Sequence, residues 1–234
     1  MLEVKKTYRH LYWYFVPVLV ITLLWFFKPG YLFFVDFVLG PHIILDWRGA
    51  SFLPSLFLLL FSYILPIDFL EKIFISLIFL VLILGAKKFI EESLLLVKNT
   101  KKEPERWLVF ILSLFIVFNP FVYDRIMYGQ IGMVAALGFF ALSLGNLFGY
   151  LRTKRLKNII WFGVFAGLMT ISGIHFVFFL AILTILVFIY GLVKKELSTN
   201  NVLKHLLLFI IIILAFNINW ILGLSNPDSR FRSF

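Results

Sequence analysis

Asp36 and Asp46 are the two carboxylates of this chain whose surroundings could turn them to chemistry. Asp36 lies between Val35 and Phe37, so its carboxylate would be partly desolvated and would accept a proton more readily, unless a nearby cation offsets the burial. The competing reading is a surface Asp that turns the chain or pairs with Arg48. Asp46 opens the run Asp46-Trp47-Arg48-Gly49 and carries the same two readings.

A second polar group is the island Asn119-Pro120-Phe121-Val122-Tyr123-Asp124-Arg125-Ile126-Met127-Tyr128-Gly129-Gln130, set between apolar runs. Pro120 removes a backbone donor and favours a helix end or kink. Asp124 and Arg125 would each cost roughly +2.5 to +3.5 kcal/mol at the centre of a bilayer, so they mark a membrane surface or a protein-lined site. The Arg125 guanidinium can fork onto an oxyanion such as phosphate, and Tyr128 and Gln130 can hydrogen-bond a sugar. Alternatively, Asp124 and Arg125 pair with each other and Asn119 only caps the kink. His175, after Ser172-Gly173-Ile174, is either structural or a phosphate or hydroxyl contact. His42 has the same readings more weakly, and Asn217, Asn219 and Trp220 read as interfacial anchors.

Asp36, Asp46 and Asp124 offer hard oxygen ligands suited to Mg²⁺ or Mn²⁺, although no spacing specifies such a site. With no cysteine in the chain, thiolate metal sites and disulfides are excluded. No phosphate-binding Gly-rich loop, HExxH or nucleophile elbow is present.

The elements that must position these residues are helices in a bilayer. The chain is 62% hydrophobic and 15% charged, more apolar surface than a soluble domain of 234 residues can hide. Lipid requires every backbone group to be satisfied internally, so spans are helices. Continuous rather than alternating apolar runs argue against a barrel. The spacing predicts an all-α membrane protein, a bundle of about seven transmembrane helices at 11–27, 70–86, 107–118, 131–150, 158–171, 175–193 and 206–222. The third is expected to continue past Pro120 to Tyr123. The first reads as an uncleaved signal anchor. Residues 1–234 form one transmembrane domain, and 28–69 form a first outer loop carrying an interfacial or re-entrant helix at 52–66.

Charge sets the orientation. If 52–66 does not cross, 16 Lys and Arg residues fall on the inner side and 5 on the outer; if it crosses, the split becomes 7 to 15. The positive-inside rule favours the first arrangement, an integral cell-membrane protein with a cytoplasmic N-terminus and an outer C-terminus. Asp36, Asp46 and Asp124 then share the outer face. The inner Glu91 and Glu92 sit among Lys and read as solvated helix-end pairs on an amphipathic connector, with Ile90, Leu94, Leu95 and Leu96 toward lipid. The net charge of +10 fits anionic lipid, and without a basic stripe interleaved with aromatics nucleic acid is not expected as a partner.

Taken together, these features resemble the polytopic type C (GT-C) membrane glycosyltransferases, including uncharacterised archaeal and bacterial members. The resemblance rests on the inside N-terminus, Asp36 nine residues beyond Phe27, the interfacial 52–66 segment, and the Asn119-Pro120-Phe121…Arg125…Gly129-Gln130 island. It implies transfer of a sugar from a polyprenyl-phosphate-linked donor to an acceptor on the non-cytoplasmic face. Asp36 would be the base, with Asp46 as its partner carboxylate, and Arg125, His175 and Arg48 would lie near the phosphate. The family often pairs its acidic residues closely, whereas Asp36 and Asp46 are ten apart. Members are usually longer, so a fragment with a missing C-terminal region or a partner subunit is expected. The alternatives are a transporter or lipid-flippase component, which would place ionisable groups at mid-membrane depth, and a non-catalytic membrane scaffold.

Overall fold

The computed structural model describes residues 12–27, 29–30, 32, 43, 45, 52–98, 103–195 and 197–224. Their regular structure is helical, with no strand among the described residues. The helices are α1 (Tyr12–Phe26), α2 (Phe52–Ser62), α3 (Ile67–Lys98), α4 (Arg106–Val117), α5 (Pro120–Met127), α6 (Ile131–Thr153), α7 (Leu156–Ser172), α8 (His175–Val193) and α9 (Thr199–Leu224). By length and composition α3, α6, α8 and α9 can each cross a membrane, and α4 with α5 forms a fifth candidate bent by 41°. α1 and α7 are shorter apolar helices.

The outer surface is apolar, as lipid demands. Phe178, Ile182, Ile185 and Ile189 of α8 and Leu207, Ile211, Leu214 and Ile218 of α9 are all exposed. In water such contiguous surface would drive association. The described helices therefore fit an integral membrane protein.

α3 and α6 form the axis of the bundle, and they run parallel. Leu82 packs at Gly138, Lys88 at Gly145 and Glu92 at Gly149, so position rises together along both helices. Apolar burial cannot pull helices together in lipid; close packing of small residues can. A Cβ at Gly138 would sit 2.9 Å from the Leu82 backbone, and one at Gly145 3.0 Å from the Lys88 carbonyl carbon. Gly145→Leu is thus expected to destabilise the bundle by at least about 1–3 kcal/mol through overpacking, seen as a lower unfolding midpoint in detergent. An unchanged midpoint would mean that the two helices are free to separate.

α7 returns antiparallel to α6, with Ser172 at Gly132 and Asn158 at Gly149. α9 runs parallel to α7, through Phe162 stacked on Phe209 at 4.4 Å and Phe216 against Gly167. Asn217 is buried and donates from Nδ2 to Thr170 Oγ1 at 2.7 Å, so it ties α9 to α7 rather than anchoring it at the interface. These directions define two ends. One carries Tyr14, Lys87, Arg106 and Arg152; the other carries Leu32, Glu71, Arg125 and His175.

Three local expectations change. The third apolar run passes Pro120 only as a bent pair of helices: α4 stops at Val117 and α5 begins anew at 41° to it. Pro120 cannot donate to the Ile116 carbonyl, and Asn119 Nδ2 donates to it instead. α3 runs on to Lys98 as the connector reading requires, but Ile90 is buried, not turned to lipid. Glu92 is also buried, because α6 packs beside it and brings in Arg152. The 11 residues of α2 span only about 16 Å at 1.5 Å per residue, roughly half the ~30 Å hydrocarbon core, so this helix is too short to cross.

Candidate functional site

The Arg125 end is built around α5. Asn119 caps the helix, its Oδ1 accepting from the Val122 N–H at 3.0 Å, and Pro120 occupies the first turn, where a missing donor is harmless. The other end of α5 closes in a Schellman motif. Gly129, at φ +75°, lets the Gln130 N–H return to the Arg125 carbonyl at 2.8 Å and its own N–H reach Ile126 at 2.9 Å. That turn sets the Gln130 side chain beside the Arg125 guanidinium, and Arg125 Nη1 donates to Gln130 Oε1. A positive φ is easy only for glycine among these residues, so Gly129 positions the pair.

Arg125 is held on three sides. Besides Gln130, Nη2 lies 3.4 Å from Asp124 Oδ2, and the guanidinium sits over the Phe121 ring with 5.2 Å to its centroid. Nε is buried without a partner. The Asp124–Arg125 ion pair that the sequence offered as the plain reading is therefore present, and it leaves the Nε–Nη2 edge of the fork incompletely used. Asp124 and Tyr128 keep roughly half their surface, and His175 at the first turn of α8 is exposed. The Phe121 ring meets Phe176 edge-on at 6.5 Å, which brings the start of α8 to the same neighbourhood as α5.

Glu71 is the residue that sequence reasoning passed over. It is fully buried in the first turns of α3, where Oε2 accepts the Leu32 N–H at 2.7 Å and Oε1 has no partner. Its signal was present: Glu71 shares a helix face with Ile75, Ile78 and Leu82, all buried. Leu32 precedes Asp36, Asp46 and Arg48 in the chain. Those three, with His42, lie outside the described residues; of the three carboxylates offered for Mg²⁺ or Mn²⁺, only Asp124 is described, and it faces Arg125. Among the described residues no group of three His, Asp or Glu side chains gathers to hold a metal.

Beside this end an apolar groove of about 300 Å³ runs between α2, α3, α6 and α7. Phe57, Leu77, Val81, Phe139 and Leu168 line it, and Ser172 is its polar member. Comparison with protein families, curated proteins and solved structures finds no match for this chain.

Proposed function

We propose that this chain is a seven-span, GT-C-like membrane glycosyltransferase that takes its sugar from a polyprenyl-phosphate donor at the Arg125 end. The observation that carries this reading is the Glu71–Leu32 hydrogen bond, which fixes Leu32, four residues before Asp36 in the chain, at the end of the bundle where Arg125 is held. In this reading Asp36 acts at the same end. Asp36 would take the proton of the acceptor hydroxyl. Arg125, with His175 and Arg48, would meet the departing phosphate, and Tyr128 and Gln130 the sugar. Phosphate is a good leaving group, so one base and nearby cations suffice. The apolar groove suits the prenyl chain.

Against an ion-coupled carrier, α3 has no charge in residues 73–86, between Lys72 and Lys87. The test is donor turnover: the purified protein in liposomes is given a radiolabelled polyprenyl-phosphate sugar, and release of polyprenyl phosphate is followed. Wild-type release that disappears in Asp36→Asn supports the reading. Equal release from both refutes it.

In this reading α1, α3, α4 with α5, α6, α7, α8 and α9 are the spans, and the Lys87 end is cytoplasmic. The chain contains no cysteine, so single-cysteine labelling tests the orientation. Tyr128→Cys should react with a membrane-impermeant maleimide on intact cells, and Lys101→Cys only after lysis. Labelling of position 101 from outside would reverse the assignment.

A further inference from the structure

The Lys87 end holds a second cavity, of about 590 Å³, between the starts of α1 and α4 and the far half of α3. This volume lies within the ~300–1,000 Å³ typical of small-molecule sites. Its depth follows from α3. Glu71 and Glu91 are 20 residues apart, about 30 Å along a helix, the thickness of the hydrocarbon core. With Glu71 at one boundary, Lys87 and Glu91 stand at the other, at headgroup level. Trp13 and Trp107, both lining the cavity, are more than half exposed, as residues of an interfacial aromatic belt are.

The lining is charged but balanced. Three cations (Lys87, Arg106 and Arg152) face three carboxylates (Glu91, Glu92 and Glu103). Glu92 is committed to Lys88 and Arg152. Lys87 meets Glu91 at 2.9 Å, and Arg106 comes no closer than 3.7 Å to Glu103, where both side chains are more than half exposed. Lys87 and Arg106 therefore keep donors for an incoming phosphate, while Glu91 and Glu103 keep lone pairs for an incoming ammonium. A purely anionic headgroup would meet three carboxylates, and a purely cationic one three cations. A quaternary ammonium has no N–H to give the carboxylates.

We infer that this cavity binds the headgroup of a zwitterionic, primary-amine phospholipid of the phosphatidylethanolamine class, with phosphate on Lys87 and Arg106 and ammonium on Glu91 and Glu103. The site is at the opposite end of the bundle from Arg125 and does not depend on the transferase reading. Ligand and protein form no covalent bond; recognition is by charge-assisted hydrogen bonds.

Native mass spectrometry of the delipidated protein, titrated separately with phosphatidylethanolamine, phosphatidylcholine, phosphatidylglycerol and water-soluble glycerophosphoethanolamine, tests this. Phosphatidylethanolamine should be retained at least about tenfold better than the choline and glycerol lipids, the loss expected when charge-assisted hydrogen bonds are missing. Lys87→Ala with Arg106→Ala, and separately Glu91→Gln with Glu103→Gln, should remove that preference, while Lys157→Ala at the same end should keep it. An unchanged thermal midpoint in either double variant shows that folding is intact. Weak binding of glycerophosphoethanolamine, lost in the same variants, would support the headgroup assignment. Equal retention of all three lipids, or a preference that survives both double variants, would overturn it. So would a preference for phosphatidylglycerol, which would mark an anion site.

Discussion

Glu92→Ala should destabilise this protein by about 3 kcal/mol, the low end of the 3–5 kcal/mol seen when one partner of a buried ion pair is removed. The Glu92 side chain is only 8% exposed and holds two cations: Lys88 at 2.9 Å, one helical turn earlier, and Arg152, whose Nε and Nη2 both reach the carboxylate at 3.0–3.2 Å. Without it, two positive charges face each other between α3 and α6. Lys88 and Arg152 are each about a third exposed, and water moderates their repulsion, which is why the low end applies. Thermal unfolding in detergent gives the measurement. Because an unpaired charge is the cause, the triple variant Lys88→Met, Glu92→Met, Arg152→Met should regain stability lost in Glu92→Ala. If the triple variant is no better than the single one, the cost lies in packing rather than charge. Added salt should change the wild-type midpoint little, since buried pairs are poorly screened.

The largest effect on activity is expected from Asp36→Asn. If Asp36 is the base of a sugar transfer, turnover should fall by about 10²–10⁴, the usual contribution of a positioned base, with expression and membrane insertion unchanged. Arg125→Lys should weaken use of the donor and leave the protein folded, because a point charge replaces a planar fork. Glu71 offers a separate handle. Glu71→Gln keeps an acceptor for the Leu32 N–H, whereas Glu71→Leu does not, so only the leucine variant should release the loop and lower turnover. A role for Glu71 in packing alone would instead make the leucine variant harmless to turnover, or make both variants equally unstable. Turnover unaffected by Asp36→Asn would remove Asp36 from the chemistry whatever Glu71 does.

The polar island shows how far a local reading carries. Pro120 in the sequence announces a break, and Asn119 beside it announces a cap; both are present. The 41° bend and the exact stop at Val117 are not written locally. The Arg125–Gln130 contact was legible only in retrospect, since it needs the left-handed turn at Gly129 to fold Gln130 back. Glu92 was misread and Glu71 passed over for a common reason. The lysines beside Glu92 read as partners of a solvated helix end, and the burial of both residues depends on what packs across from them.

What the sequence by itself determined is the solvent and the secondary structure. Runs of apolar residues favour lipid over water, and backbone groups in lipid must pair within their own helix, so composition alone leads to apolar helices long enough to span a membrane, as the described residues have. The proline and asparagine at the α5 boundary act within four residues and are likewise local. Only the tertiary structure decided that α3 and α6 lie parallel in contact. Their seam depends on glycines separated from Leu82 and Lys88 by more than fifty positions, and a glycine carries no pattern that names its partner. From that contact follows the burial of Glu92 by Arg152, and the closeness of α5 and α8 through Phe121 and Phe176 is equally non-local. The hold of Glu71 on Leu32 is non-local in the same sense. Side-chain desolvation is a property of neighbours, and neighbours are set by packing rather than by order along the chain.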